Sequence, residues 1–315
     1  MISLPSFSDI EKAHDRIRPY IHHTPVLSSK SINEMVGADL FFKCENLQKV
    51  GAFKFRGACN SVFALTDEEA KNGVCTHSSG NHAAALALAA RMRGIPAYIV
   101  MPENAPEIKK IAVAGYGAQI TFCTPTLEAR ESTLKKVAAE TGATEIHPYN
   151  YFNVICGQGT AAKELIEEIG NLDVVMAPVG GGGLLSGTAI STKALLLNAR
   201  VIAAEPDGAD DAFRSFYSKD LQPSVAPKTI ADGLLTSLGS LTFPIILKDV
   251  DQIVTVSEEG IVAAMRMIWE RMKIIIEPSS AVPLAAILEN KVDVKGKRVG
   301  IILSGGNVDL GKLPF

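Results

Sequence analysis

The sequence predicts an α/β protein with open, mostly parallel sheets flanked by helices, arranged as two units. Three observations predict it. From about residue 73, short apolar runs alternate with longer stretches of helical spacing, the rhythm that builds parallel sheets. The short runs are nearly continuous in their apolar character, as strands are when both faces of a sheet are covered. The rhythm breaks near residue 150 and then starts again.

The elements follow in order. "GVCTHS" (73–78) reads as a strand and "AAALALAARMR" (83–93) as a helix ended by Gly94. "IPAYIVM" (95–101) is a strand and "PEIKKIAVAG" (106–115) a helix. "AQITFCT" (118–124) leads to a charged helix over 126–141 and then to the strand "TEIHPY" (144–149). The second series opens with a helix at 159–169, followed by the strand "LDVVMAPV" (172–179), a helix at 184–197 and the strand "RVIAAE" (200–205). Residues 207–250, rich in Asp, Pro and Gly, read as irregular. "QIVTV" (252–256), helices at 258–272 and 279–289, and "RVGIILS" (298–304) complete the chain. One unit boundary falls near 150 and the other within 60–73; no element is assigned ahead of residue 73.

The chain has 315 residues, 47% hydrophobic and 21% charged, which suffices for a large core and excludes global disorder. Its net charge of -3, with no basic run, argues against nucleic acid or an anionic membrane as partner. The N-terminal stretch lacks the apolar core of a signal peptide, and no run reaches the ~18 apolar residues of a membrane helix. Five scattered cysteines without a CxxC pair read as reduced thiols of a cytoplasmic protein, not as a zinc or iron–sulfur site.

Four strand ends carry the chemistry. "MAPVGGGGLLSG" (176–187) puts Gly180, Gly181, Gly182 and Gly183 between a strand and a helix, where backbone amides and the helix dipole suit an anion. A Walker loop is excluded because no Lys follows, and the GxGxxG spacing fails at Leu185 and Ser186. Glu205 does end the next strand, where an acid would meet a ribose, so a nicotinamide cofactor stays open, as does a plain turn. "THSSGNHAAAL" (76–86) offers Ser78, Ser79, Gly80, Asn81 and His82 at another helix start, suited to a carboxylate or phosphate, or simply to capping. "ILSGGNVDL" (302–310) ends the last strand in Ser304 and two glycines. Lys54 in "GAFKFRGA" (51–58) lies between Phe53 and Phe55; it is either a lysine reaching for water or a desolvated amine competent for a Schiff base.

Together and in this order, these four motifs resemble the fold-type II pyridoxal 5'-phosphate (PLP) enzymes, and more closely the serine racemase / serine–threonine dehydratase family. "GQGTAAKEL" (157–165), "AAEPDGADDAF" (203–213), "TIADGL" (229–234) and "WERMKIIIEPSSA" (269–281) extend the likeness over the whole chain. The resemblance implies a tryptophan synthase β-like architecture. Residues 1–66 and 150–315 would form the large PLP-binding domain, and 67–149 the small domain that closes on substrate. It implies that Lys54 holds PLP as an internal aldimine with Phe53 close to the ring. Gly180–Gly183 would cradle the phosphate, Asn81 bond the ring hydroxyl and Ser304 the ring nitrogen. Ser78–His82 would bind the substrate carboxylate, and Ser79 would face Lys54 as the second base.

The implied activity is elimination from, or racemisation of, small β-hydroxy amino acids such as serine and threonine, with threo-3-hydroxyaspartate as the alternative substrate. Arg130 is then the candidate for a second carboxylate. The resemblance also implies a homodimer and a Mg²⁺ or Ca²⁺ ion held by Glu205, Asp211 and the Ala209 carbonyl. Two departures bear on substrate: Tyr149 stands where animal serine racemases tend to carry Asn, and Ala83 and Ala84 where a Gly-Gln pair is frequent. A nicotinamide-dependent oxidoreductase and a non-catalytic ligand-binding relative are the alternatives of other classes.

Overall fold

The computed structural model describes residues 3–78, 80–105 and 107–315. Ahead of the first expected strand the chain forms α1 (Phe7–Ile17), β1 (Val26–Leu27), α2 (Lys30–Val36), β2 (Asp39–Cys44), α3 (Lys54–Ala64) and the single turn α4 (Asp67–Ala70). α1 is started by a capping box in which Ser6 and Asp9 satisfy each other's backbone N–H groups. Then come β3 (Val74–His77), α5 (Asn81–Arg93), β4 (Ala97–Pro102), α6 (Glu107–Gly115), β5 (Gln119–Cys123), α7 (Leu127–Thr141) and β6 (Thr144–Glu145). The remainder is α8 (Phe152–Ile169), β7 (Val174–Pro178), α9 (Gly183–Leu195), β8 (Arg200–Pro206), α10 (Asp211–Ser218), α11 (Thr242–Asp249), β9 (Gln252–Val256), α12 (Glu258–Met272), α13 (Pro278–Leu288) and β10 (Arg298–Leu303).

These strands form two sheets. The larger has the order β1-β2-β10-β7-β8-β9 and the smaller β5-β4-β3-β6. All pairings are parallel except β1 with β2. β7 shows why the strands look uniformly apolar. Val174 and Met176 enter the core under α12 and α13, whereas Val175 and Ala177 enter the core under α9 and α11. Both faces are thus buried, as a parallel sheet requires.

Three expectations are corrected. The strand expected at 144–149 ends at Glu145, because the chain turns out of the sheet through Ile146–Tyr151. The helix expected to start at 159 begins at Phe152. The region 207–250 contains α10 and α11, and the N-terminal region holds a central strand, β2.

The parallel order points the carboxyl ends of β2, β10, β7 and β8 the same way, and ligands of open α/β sheets collect there. The turns after them carry Lys54, Ser304, the glycine run and Asp211; Glu205 lies at the end of β8 itself.

Candidate active site

Lys54 opens α3, with Phe53 as its N-cap. The position is fixed by backbone contacts: Ala52 bridges Gly305 and the Phe53 N–H donates to Ser304 O at 2.9 Å. The Lys54 Nζ donates to Pro148 O at 2.8 Å and lies 5.2 Å from the Phe53 ring centroid. Burial lowers its pKa to about 8, opposed by the charge of Glu277. A lysine reaching for water is therefore the wrong reading; this amine faces into the cleft.

Ser304 is buried at the end of β10 and its Oγ is 3.1 Å from Ser280 Oγ. Ser280 also donates to Gly305 O at 2.6 Å and accepts the Gly305 N–H at 2.7 Å. Either hydroxyl can donate across that contact, and the Ser304 hydroxyl can both donate to and accept from a ligand.

The glycine run is fully buried between β7 and α9. Gly182 has φ +86°, in the left-handed region that glycine adopts freely. A Cβ on Gly181 would lie 2.3 Å from the Tyr149 ring, so that glycine also makes room for Tyr149. Among the described residues, no hydrogen-bond partner is found for the N–H groups of Gly180, Gly181, Gly182 or Gly183. Buried amides are nearly always paired, so four together at a helix N-terminus fit a phosphate.

The opposite wall comes from the smaller sheet. Ser78 follows β3, its N–H donating to Val100 O and its Oγ accepting the Gly80 N–H at 3.3 Å. Ser79 lies outside the described residues. Gly80 is the N-cap of α5 and Asn81 its first residue. Asn81 Nδ2 donates to both oxygens of Glu277, at 3.0 and 3.2 Å, and its Oδ1 accepts from Asn307 at 2.9 Å. Sequence reasoning missed Glu277. It is buried at the N-cap of α13, and burial raises its pKa to about 7. Its only sequence signal was an acid inside an otherwise apolar stretch. The His82 side chain turns inward, its Nε2 3.1 Å from Ile146 O, while its Nδ1 has no partner. Burial, then the charge of Lys54, holds its pKa down at about 3. A 2.6 Å ion pair between Lys109 of α6 and Asp232 also ties the two walls together.

The third group lies at the end of β8. Glu205 is fully buried and accepts the Ala212 and Phe213 N–H groups at 3.1 and 2.8 Å. Asp211 is fully buried too, and among the described residues neither of its carboxylate oxygens has a hydrogen-bond partner. Burial raises Glu205 to about 9 and Asp211 to about 6. Ala209 is buried in the turn between them. Among the described residues no three His, Cys, Asp or Glu side chains gather to hold a metal, so the expected set is two carboxylates and a carbonyl. Arg214 lies near enough for its charge to act on Asp211 but pairs with Asp210, so among the described residues the two buried acids have no ion-pair partner, the pattern a hard divalent ion would satisfy.

An amine on a sheet end, a bare amide cradle across from it and a hydroxyl beside both agree with what the whole chain matches. Residues 17–305 match the family model described as "Pyridoxal-phosphate dependent enzyme". The chain belongs to that family. Within it, the chain is 55% identical over 312 residues to the serine racemase of Dictyostelium discoideum, covering 98% of this chain and 96% of that protein. The crystal structure of that racemase superposes with a TM-score of 0.92, over 97% of this chain and 99% of the other. The β-hydroxyaspartate dehydratase of Paracoccus denitrificans is 54% identical over 312 residues, 99% of each chain. The L-threo-3-hydroxyaspartate ammonia-lyase of Saccharomyces cerevisiae is 48% identical over 308 residues, 98% of this chain and 94% of that one. The PLP-dependent class and the α/β fold with mostly parallel sheets are thereby established.

Proposed function

We propose that this enzyme acts on small β-hydroxy amino acids, eliminating water to an enamine that takes water back on hydrolysis to a keto acid and ammonia, or inverting Cα, with Lys54 as the reacting amine. The observation that carries the reading is the pairing, at the carboxyl ends of one sheet, of a Lys54 amine with a pKa lowered by burial and four glycine amides for which no partner is found among the described residues. When bound, PLP supplies the electron sink that lets a proton leave Cα. Gly180–Gly183 would hold its phosphate, Ser304 its ring nitrogen, and Phe53 one side of the site. A pKa of about 8 leaves part of Lys54 unprotonated at neutral pH, so its Nζ is both nucleophile and proton acceptor. The N-terminus of α5 would receive the substrate carboxylate on the backbone N–H groups of its first turn, Asn81 and His82, since the Ser78 and Gly80 N–H groups are given to Val100 O and Ser78 Oγ. Ser79 would return the proton from the opposite face in racemisation.

The second reading, loss of ammonia from 3-hydroxyaspartate, is favoured by Arg130. Its buried Nε has no partner, which suits a ligand carboxylate. The names of the Paracoccus and Saccharomyces relatives support it. A divalent ion at Glu205, Ala209 and Asp211 and a homodimer complete the proposal. Among the described residues no helix is long and apolar enough to cross a membrane.

The test is an assay of L-serine, L-threonine and threo-3-hydroxyaspartate for keto acid, with chiral analysis of serine. Lys54→Ala is expected to lose the cofactor's Schiff-base absorbance and about 10⁴-fold in turnover. Ser79→Ala is expected to stop racemisation while leaving part of the elimination. A Lys54→Ala protein that keeps the absorbance band and turnover overturns the reading.

A further inference from the structure

The chain passes from the smaller sheet back to the larger through residues 146–151, between β6 and α8. This crossover meets the cleft through its backbone carbonyls. Ile146 O is paired with His82 Nε2 at 3.1 Å, and Pro148 O accepts from Lys54 Nζ at 2.8 Å. One side chain holds the turn from within. His147 Nδ1 accepts the Asn150 N–H at 3.0 Å and, more weakly, the Tyr149 N–H at 3.4 Å. Asn150 pins the far end, accepting the Leu241 N–H at 2.7 Å and donating to Ser240 Oγ at 3.1 Å.

An imidazole nitrogen accepts only when unprotonated, so this geometry requires a neutral His147 with its proton on Nε2. The surroundings favour that form. The ring packs edge-on against Tyr149 at 4.6 Å and His77 at 6.4 Å, and burial followed by the charges of His77 and Lys54 lowers its pKa to about 4. His77 stands at the end of β3, with Arg130 and Glu131 of α7 acting on it in opposite senses. Around Lys54 itself the groups are Glu277 at the start of α13, His82 on α5 and His147.

We propose that His147 is a positioning residue for Lys54. Its Nδ1 fixes the 147–150 turn so that the Pro148 carbonyl receives the Lys54 amine whenever that amine is not bonded to the cofactor. This inference rests on the reading of Lys54 as the reacting amine. A carbonyl at 2.8 Å favours the protonated amine and gives it one direction to point in. Loss of the clamp therefore lowers the Lys54 pKa further and frees the side chain to wander.

Two replacements separate the acceptor from the ring. In asparagine, Oδ1 is as many bonds from Cα as histidine Nδ1, so His147→Asn keeps the acceptor. His147→Phe keeps the ring and removes it. The readout is the rate at which an amine-selective acylating reagent labels Lys54 in the full chain freed of cofactor, measured against pH by peptide mass spectrometry. The parent midpoint is expected at about 8. His147→Phe is expected to move it down by roughly 0.5–1 unit, and His147→Asn to restore it. The acid limb of kcat/KM in the loaded enzyme should move in parallel.

Equal midpoints in all three proteins, or equal shifts in both variants, would overturn the proposal. If His147→Phe does not fold, His147→Leu carries the same expectation. Labelling is read on Lys54 whether or not PLP uses it, so the clamp fails separately from the assignment of Lys54, which Lys54→Ala decides.

Discussion

Two clusters of buried charge flank the start of α3, and they are finished to different degrees. Beneath it, Arg56 makes paired hydrogen bonds to Glu45 at 2.7 and 2.8 Å and to Glu164 at 2.8 and 2.7 Å. Lys43 adds a 2.8 Å contact to Glu164, and Thr24 donates to Glu45 at 2.6 Å. Burial alone would raise Glu164, but bonds from His14 and Arg56 and the charge of Lys43 carry it well below the carboxylate range. Two cations and two anions meet with their donors and acceptors matched. Elsewhere the polar groups are not matched: among the described residues the Asp211 oxygens, His82 Nδ1 and Arg130 Nε have no hydrogen-bond partner. Burial instead shifts Lys54, Glu277 and Glu205 toward their neutral forms. The matched cluster is scaffold, holding the helix that carries Lys54. The unmatched groups are where a ligand completes the electrostatics, which is why perturbed pKa values gather there.

The sharpest way to break this contrast is to unmatch the scaffold. Arg56→Met removes the centre of the network and leaves two buried carboxylates short of a cation. The expected cost is about 3–5 kcal/mol, because an uncompensated buried charge is far worse than an absent pair. Thermal unfolding should begin roughly 10 °C lower. The matched design also predicts the pH sense. Glu164 is held below its unfolded pKa, so its contribution is complete above about 4.5 and is lost as pH falls. In Arg56→Met that acid-side loss should shrink. A variant as stable as the parent would show that the network holds nothing.

The second prediction completes an unmatched site. Without a cation, Glu205 and Asp211 have folded pKa values above their unfolded ones. Their protonated forms are therefore the stable ones. Stability is full below pH 3.8–4.5 and declines as pH rises through about 6 and about 9. A bound divalent ion reverses this by favouring both carboxylates. Adding Mg²⁺ or Ca²⁺ at 100 times its Kd should stabilise by about 2.7 kcal/mol, more at pH 8 than at pH 5.5, where protons compete. Chelation should undo it, and Glu205→Gln should abolish the difference between the two pH values. No change in unfolding temperature on adding either ion would remove the cation from the proposal.

The same contrast explains what could be read from the sequence. Residues 73–141 and 172–206 alternate cleanly because their strands are short and mostly apolar, with β3, β4, β7 and β8 buried and only the edge strand β5 largely exposed. β2 and α3 went unassigned because their buried polar residues, Lys43, Arg56, Asn60 and Ser61, break the apolar period. The start of α8 was missed because Gly157 and Gly159 look like breakers. A Cβ on Gly157 would in fact lie 2.6 Å from Arg56 O, so this glycine lets α8 lie close against α3. Site residues at strand ends were legible because glycine, serine and asparagine cluster there for local reasons. Glu277 and the 147–150 turn were not, because Glu277 meets Asn81 196 positions away and the Pro148 carbonyl of the turn meets Lys54 94 positions away. Even the glycine run carried a second meaning in space, the room that Gly181 leaves for Tyr149.

The smallest effect is expected from the electrostatic coupling of Glu277 to Lys54. Glu277 raises the Lys54 pKa against burial, while Asn81 donates to both its oxygens. Glu277→Gln keeps an acceptor for Asn81 and removes the charge, so the fold should hold within about 1 kcal/mol. Without that charge the protonated amine is less favoured, and the Lys54 midpoint should drop below about 8 by less than one unit. The acid limb of activity should move the same way, making the variant relatively more active near pH 6.5. An unchanged midpoint would mean that the carboxyl is protonated in the working enzyme and that Asn81, not charge, is what Glu277 is there to hold. A charge so weakly coupled is consistent with a cleft whose remaining partner is the ligand itself.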